Sequence, residues 1–549
     1  MKTLILSLLW LNLAYAAEFP PATARAQIFD QFVSEVERLD GEGLPARMNR
    51  PESWKHTIAR LREEAQKATT PVAFGQVFHR LDQTYPNLHA QVTLKDEYEI
   101  APERKRPTIS VRFRAENITR TQKTFRYRVQ ITSDSLLKDV PESKRPQDDD
   151  ELLQINNRDI QEWSIDNFIF CKFPYRAQCE RNIFDSFRKG FLGWDWRQKL
   201  EYTLKRDKRI WTVEIPVGFP SQPPATMPTS ADTTTAQTRE CPGGDNRYQN
   251  FKPVYKGANI CVYESAKHPF VTVLHIASFA YQNFPKSDLI RSNGTEVRAF
   301  NDNYWRAKAP ETKKLIIDVI DNGGGNEPIY WYQSLLDQPF QEQYVQFKKT
   351  SEFEVDSIRK HLFYDDPAKD IWFEKLKASG AYQKIKMGSF LPHIPQYCAT
   401  EDKSCEIGKY TPLKHKFKGQ VRVLVDEWCI STCTGFVWNL KDKLGKRAKL
   451  VGMPDSGDSG YARLFLDVYL DPTKPEGFRI TTSSRQPLSR QRLPEGALVR
   501  QQVSATRSTD EHGRIVSAKP AEVELWTPRS YKQTDDQWMA AAFAMALKK

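Results

Sequence analysis

Long apolar runs are rare in this sequence of 549 residues. The apolar segment from Leu4 to Leu13 is shorter than the roughly 18 residues that a membrane-spanning helix needs, and no other apolar stretch approaches that length. Lys2, this short run and the triplet Ala14-Tyr15-Ala16 have the pattern of a secretory signal peptide over residues 1–16. We therefore expect an exported protein, periplasmic or secreted, whose mature chain does not insert into a membrane.

The sequence also lacks the common zinc-binding patterns. It has no C-x-x-C pair and no H-E-x-x-H, so we expect neither a metal ion nor another cofactor. The eight cysteines are even in number, which favours disulfides in an oxidising compartment. Proximity along the chain suggests four pairs, one of many possible connectivities: Cys171 with Cys179, Cys241 with Cys261, Cys398 with Cys405, and Cys429 with Cys433.

No single segment concentrates the net charge of +12, which is spread along the chain. We interpret this distribution as a contribution to solubility, and we expect no nucleic-acid partner. The sequence does not indicate an oligomeric state.

Hydrophobic periodicity divides the chain after the signal peptide into four parts. Residues 17–104 show the helical spacing of apolar residues and form a predicted helical domain, in which a strand follows His89. Residues 105–220 alternate polar and apolar positions, as a β-rich module does, and residues 221–247 contain a linker rich in Pro, Ser and Thr. Residues 248–549 alternate strands with helices and are predicted to form an α/β core.

One segment of the β-rich module, from Asp150 to Arg158, resembles the strand and turn of PDZ domains. Asp149 stands where such domains usually have a glycine. A PDZ-like module binds an extended peptide as an added strand. The alternative is a β subdomain without a ligand.

Two predicted strand ends carry patterns suited to acyl transfer. The strand Leu315–Ile320 leads to Gly323-Gly324-Gly325, where missing side chains let backbone amides approach a ligand, as an oxyanion hole requires. The strand Val421–Asp426 leads to Ser431 at the predicted start of a helix, whose N-terminus stabilises developing negative charge. Taken alone, the first pattern also fits a tight turn or a phosphate-binding loop, and the second fits an N-capping serine.

In this order the two patterns resemble the C-terminal-processing, or tail-specific, serine peptidases, with a D-x-R-x-N-x-G-G turn and a second strand leading to S-x-x-E. Asp318, Asn322, Gly324 and Gly325 fall on the first motif and Ser431 on the nucleophile, and the segments 268–279 and 450–454 are similar to two further strands of the family. The resemblance implies a crotonase-like ββα spiral, a protein or peptide substrate and an acyl-enzyme on Ser431. It also implies that Gly324 and Gly325 donate amides to the oxyanion.

Three departures from the family pattern bear on the mechanism. Ile320 replaces the arginine of the first motif, and Thr434 replaces the glutamate after the nucleophile. The lysine base of the Ser-Lys members is missing from the segment 454–460. Because a serine hydroxyl without a base is a poor nucleophile, either another group serves or the protein is inactive.

A histidine early in the chain supplies a candidate base. The tricorn-core branch, which includes the chlamydia-type secreted protease, is similar in using a histidine within D-x-H-x-x-V-T-L. His89 lies in such a context, with Asn87 in place of the aspartate. Because the unperturbed pKa of histidine lies near neutrality, His89 suits the role of general base, with His79 as the second candidate.

The branch orients its histidine with a glutamate late in the chain. Glu495 is the nearest acid in this sequence, and Gln501 is an alternative that would orient the ring by a hydrogen bond. We also expect the predicted Cys429–Cys433 disulfide to stiffen the turn around Ser431.

The predicted function is an exported serine endopeptidase or tail-processing peptidase. The alternatives are a non-catalytic peptide-binding scaffold of the same fold and a hydrolase or esterase acting on an envelope component.

Overall fold

A computed structural model describes residues 19–42, 51–85, 87, 89–98, 108–120, 122–132, 137–172, 178–180, 200–215, 217–218, 241, 247–279, 296–325, 329–341, 344–396, 409–413, 417–457, 462–484, 493–517 and 519–548. The predicted signal peptide, the linker segment 221–238 and the predicted pair of Cys398 with Cys405 lie outside these residues. Among the described residues, every helix is too short or too polar to cross a bilayer.

The α-helices are numbered in chain order. They are α1 (Ala22–Leu39), α2 (Pro51–Lys67), α3 (Pro71–Gln83), α4 (Ile160–Asn167), α5 (Arg306–Lys308), α6 (Ile329–Leu335), α7 (Ser351–Glu354), α8 (Asp356–Leu362), α9 (Pro367–Ala378), α10 (Ala381–Lys384), α11 (Thr432–Leu444) and α12 (Asp535–Lys548).

The strands are numbered in the same way. They are β1 (Val92–Leu94), β2 (Thr108–Ile109), β3 (Val111–Ala115), β4 (Asn117–Ile118), β5 (Tyr127–Ile131), β6 (Glu151–Ile155), β7 (Arg158–Asp159), β8 (Glu201–Arg206), β9 (Arg209–Glu214), β10 (Val217–Gly218), β11 (Lys252–Lys256), β12 (Ile260–Glu264), β13 (Val271–Ile276), β14 (Lys314–Asp318), β15 (Phe340–Gln341), β16 (Tyr344–Phe347), β17 (Ile394–Pro395), β18 (Lys409–Tyr410), β19 (Gln420–Val425), β20 (Ala448–Gly452), β21 (Arg463–Leu470), β22 (Phe478–Ser483), β23 (Ala497–Ser504), β24 (Thr506–Thr509), β25 (Leu525–Trp526) and β26 (Arg529–Ser530).

A seven-stranded sheet is the centre of the C-terminal part, with the order β11-β12-β13-β14-β19-β20-β25. The pairs from β13 to β25 are parallel, whereas β11, β12 and β13 pair antiparallel. Strands β14 and β19 are almost continuously apolar and buried, as parallel strands covered on both faces must be. The predicted mixed α/β fold is confirmed. Because neighbouring parallel strands end at the same edge, the turns after β14 and β19 lie side by side.

The N-terminal helices share their core with residues late in the chain. The apolar side chains of α1, α2 and α3 pack in one cluster with those of α7 to α9 and of β21 and β23. The predicted strand after His89 is β1, which pairs antiparallel with β23 in a sheet of order β1-β23-β21-β22. This pairing places the histidine turn at the end of a sheet built from the last third of the chain.

The β-rich module contains a six-stranded sheet of order β3-β5-β6-β8-β9, with β7 beside β6. The PDZ-like segment forms β6, a turn with positive φ at Asn156 and Asn157, and β7. Asp159 then caps α4 by accepting from the amides of Gln161 and Glu162. The module shares a core with the central sheet and with α12. Its predicted limits and its peptide binding stay predictions.

Candidate active site

Ser431 lies in a strained turn between β19 and α11. Its φ of 59° is in the left-handed region, which is uncommon for residues other than glycine. The residue occupies the N-cap position of α11, yet its side chain makes no capping hydrogen bond. Helix capping therefore does not explain why a serine occupies this position. A half-buried serine on a strained strand-turn-helix junction is the arrangement in which other hydrolases present a nucleophile.

Cys429, two residues before Ser431, contacts the side chains of three other residues. Cys429 is joined to Cys433 by a disulfide that spans Ser431, as predicted from their spacing. The Cys429 carbonyl accepts from the Thr434 hydroxyl at 2.9 Å and from the Ser456 hydroxyl at 3.1 Å. Thr434, which departs from the family pattern, therefore anchors the serine turn through a buried hydroxyl. Two further predicted disulfides are also formed, Cys171–Cys179 and Cys241–Cys261.

The glycine turn after β14 packs directly on the serine turn. A Cβ added to Gly324 would lie 3.1 Å from the Cβ of Ser431, 3.0 Å from the amide nitrogen of Thr432 and only 2.5 Å from the carbonyl oxygen of Ile430. The Thr432 hydroxyl donates to the Gly325 carbonyl at 2.8 Å. The two motifs, separated by about one hundred residues in sequence, thus lie in contact, and only glycine fits at position 324.

The Gly324 amide, which is predicted to donate to the oxyanion, is hydrogen-bonded within its own turn. This amide donates to Oδ1 of Asn322 at 2.9 Å, and the Gly324 carbonyl accepts from the amide of Phe279 at 3.0 Å. The Asn322 side chain is fixed in turn, because its Nδ2 donates to the Ile276 carbonyl at 2.8 Å. The Gly324 amide therefore holds the turn together in this structure.

We expect Gly324→Ala to lower activity at least about 100-fold, since displacement of a site by about 1 Å has effects of this size. The new Cβ overlaps the Ile430 carbonyl, and the φ of +86° disfavours any side chain. The matched control is Gly323→Ala, because a Cβ there meets nothing within 4 Å. Peptide hydrolysis and thermal unfolding of both variants test this, and equal behaviour of the two variants would contradict the described packing.

A buried ion pair stabilises the end of β14, directly before the glycine turn. Asp318 is fully buried at the end of β14 and pairs with Nε of Arg247 at 2.9 Å. Its carboxylate also accepts from the Tyr248 hydroxyl and, at 3.0 Å, from the Ile320 amide. Arg247 therefore provides the buried carboxylate with a guanidinium partner. Sequence reasoning missed it, because nothing in the sequence relates a residue 71 positions away to this motif.

Burial acts to raise the pKa of Asp318, but Arg247, His275 and Tyr248 outweigh it and lower this pKa to about 2. The ordinary pKa is 3.8, so the stabilising contribution of this carboxylate is fully present above that pH and is lost as the pH falls toward 2.

We expect Arg247→Met to lower the free energy of unfolding near pH 7 by about 3–5 kcal/mol, because it leaves a buried carboxylate unpaired. Chemical denaturation checks this, and Arg247→Met with Asp318→Asn should regain most of the loss. A single variant as stable as the wild type would contradict it.

His89 is held in a turn that Asn87 closes. Oδ1 of Asn87 accepts from the amides of His89 at 2.7 Å and of Ala90 at 3.2 Å, which is the geometry that either aspartate or asparagine provides. The His89 carbonyl accepts from the side chain of Gln502. On the ring, Nη2 of Arg463 lies 3.4 Å from Nδ1. Because arginine only donates, the tautomer inferred from this contact has its lone pair on Nδ1.

The structure does not bring the predicted third residue to the histidine. Glu495 is exposed in the turn before β23, whereas Gln502 near the other end of this strand contacts the His89 turn. An extended segment of this length separates the two positions by about 20 Å. Gln501 is fully buried, and its amide group donates to Asp82 at 2.9 Å. His79, the second candidate base, lies in α3.

Two described residues after β20 contact the two turns. Ser456 contacts the Cys429 carbonyl, and Arg463, at the start of the next strand, contacts the ring of His89. A short stretch of chain therefore contacts the serine turn at one end and the histidine at the other.

Comparisons with known proteins identify the central part of the chain. Residues 271–483 match peptidase family S41. Mature CPAF complexed with lactacystin has a similar structure, with a TM-score of 0.56 and 14% identity over 95% of this chain and 97% of that chain. Mature CPAF gives a TM-score of 0.54 and 13% identity over 95% and 96%. At these identities the likeness shows a shared fold.

No curated protein matches the sequence closely enough to be related by sequence alone. The predicted resemblance is nevertheless confirmed by the family match, which spans both the glycine turn and the serine turn. Residues 271–483 of this chain therefore match the S41, or C-terminal-processing, peptidase family, and this match supports a serine-type peptidase.

Proposed function

We propose that this protein is an exported endopeptidase or tail-processing peptidase that cleaves peptide bonds through an acyl-enzyme on Ser431, with His89 as general base. The observation that supports the proposal is the contact between the Gly324 turn and the turn of Ser431, a serine whose hydroxyl does not cap its helix. The signal-like N-terminus supports export, and sequencing of the secreted protein should find Ala17 first.

The proposed reaction follows the general scheme for acyl transfer. The imidazole of His89 takes the Ser431 proton while Oγ attacks the scissile carbonyl carbon, and the imidazolium then returns the proton to the leaving amine. Water hydrolyses the resulting ester by the same route. Since Nη2 of Arg463 contacts Nδ1 of the ring, the guanidinium has to move away if Nδ1 is the nitrogen that takes the serine proton.

The oxyanion is assigned to the amides of Gly325 and Thr432. Thr432 is the first residue of α11, and its amide nitrogen faces the glycine turn at 3.0 Å from the site of a Cβ on Gly324. An amide directly after the nucleophile, together with one from a second turn, is the usual composition of an oxyanion hole at a strand-turn-helix nucleophile. The start of a helix adds a favourable dipole for the negative charge.

The substrate is proposed to be an extended peptide. Among the described strands, β3 and β9 form the two edges of the six-stranded sheet. Such edges expose backbone groups to which a peptide strand can bond. A non-catalytic peptide-binding scaffold is the alternative function, and the guanidinium on the His89 ring is the observation that favours it.

A fluorophosphonate probe distinguishes these functions. We expect the full-length wild type to be labelled, with the adduct located on Ser431 by mass mapping, and to hydrolyse an unfolded protein. Failure to label, under conditions that label another serine hydrolase, would support the scaffold. Labelling combined with hydrolysis of small esters but of no peptide would support the hydrolase or esterase considered from the sequence.

A further inference from the structure

We propose that Lys172 is a positioning residue for His89, acting within a bridge that connects the histidine turn to the serine turn. The bridge consists of Cys171, Lys172, Gln178 and Cys179, and its two cysteines are joined by a disulfide. This inference rests on the proposed function, because it assigns a role in the same site.

The ammonium group of Lys172 is bonded on both sides of His89. It donates to the Ala90 carbonyl at 2.5 Å, lies 3.4 Å from the Asn87 carbonyl, and pairs with Oδ2 of Asp82 at 2.9 Å. These three contacts match the three donors of an ammonium group. Because the two carbonyls precede and follow the histidine, Lys172 fixes the backbone from which the imidazole projects.

The ion pair behind this turn is buried and anchored to the core. Lys172 is 8% exposed and Asp82 is 3% exposed. The other carboxylate oxygen of Asp82 accepts from the side chain of Gln501 on β23 at 2.9 Å. A buried ion pair loses hydration on folding, so it persists where its geometry is tightly satisfied. The turn is thus tied through Lys172 and Asp82 to the same strand that pairs with β1.

The other end of the bridge reaches the serine side. Gln178 is fully buried, and its Nε2 donates to the Pro454 carbonyl at 2.5 Å and to the Asp455 carbonyl at 3.2 Å. The next residue, Ser456, donates to the carbonyl of Cys429 in the serine turn. Since Lys172 and Gln178 each adjoin one cysteine of the disulfide, the bridge sets the spacing between the two turns.

A second buried lysine of the chain provides a matched control. Lys349 is 7% exposed, and its ammonium donates to the carbonyls of Tyr382 at 3.0 Å and Ile385 at 2.9 Å. It therefore has the burial and backbone acceptors of Lys172. Of the carbonyls that it holds, that of Tyr382 lies within α10 and that of Ile385 directly follows the helix, and no residue assigned to the reaction lies there.

The test compares Lys172→Met with Lys349→Met in the full-length protein. We expect Lys172→Met to reduce kcat and the rate of Ser431 labelling by a fluorophosphonate about 100-fold, with KM changed less than about threefold, because a small misplacement of a base has effects of this size. Lys349→Met should label within about threefold of the wild type, although both variants unfold at a lower temperature.

Lys172→Met also leaves the Asp82 carboxylate without its counter-charge, so Lys172→Met with Asp82→Asn is the second variant. We expect it to regain thermal stability and to remain slow in labelling. A stable double variant that labels at the wild-type rate would overturn this inference and leave the proposed function intact, as would equal slowing by Lys349→Met. A wild type without label on Ser431 would overturn both.

Discussion

Replacing Ser431 with alanine is expected to reduce peptide-bond hydrolysis by at least about 10,000-fold and to abolish fluorophosphonate labelling, since effects of this size follow removal of an acyl-transfer nucleophile. The reason is chemical, because the variant has no hydroxyl to form the acyl-enzyme. The fold should persist, as the Ser431 side chain makes no capping hydrogen bond. The measurement is kcat/KM on an unfolded protein or a peptide derived from it.

Ser456→Ala is the matched control for this variant. Ser456 is buried beside the same turn and donates to the Cys429 carbonyl, so its loss removes one hydrogen bond worth about 1 kcal/mol. We expect its activity to stay within about tenfold of the wild type. Undiminished hydrolysis by Ser431→Ala would remove the mechanism.

His89→Ala is expected to lower kcat about 1,000-fold, within the range that general-base catalysis contributes. The turn should survive, because Asn87 bonds to backbone amides and Gln502 bonds to the His89 carbonyl, and neither contact uses the imidazole. Added imidazole should restore part of the activity of this variant, which a purely structural histidine would not allow. The measurement is the hydrolysis rate with and without imidazole.

His79→Ala is the control here, since His79 lies in α3 and was the second candidate base. It should keep wild-type kinetics. If His79→Ala were the slow variant and His89→Ala the active one, the base would be misassigned.

The serine and glycine turns could be predicted from sequence because both are local patterns at strand ends. Parallel strands side by side end at the same edge, so Ser431 and Gly324 had to meet once β14 and β19 paired. A local sequence pattern alone does not predict the position of the histidine. Its position depends on the pairing of β1 with β23, and it was predicted through the family resemblance and the missing lysine.

Other parts of the site could not be predicted from the sequence. Glu495 was predicted from its proximity to a family turn, but the direction of β23 carries it away from the histidine. The Gly324 amide was predicted to face the oxyanion, but Asn322 accepts its hydrogen bond. Arg247 pairs with Asp318 from a distant segment. Each of these outcomes depends on tertiary contacts that neither periodicity nor spacing encodes.

The shared core of the N-terminal helices and the late strands imposes an order on biogenesis. During synthesis the residues around His89 emerge early, but the strand with which they pair, residues 497–504, emerges near the end. Contacts so far apart in sequence form late in folding. His89, the proposed base, therefore reaches its place in the fold only when nearly the whole polypeptide has been made, so that incomplete chains lack the proposed catalytic pair.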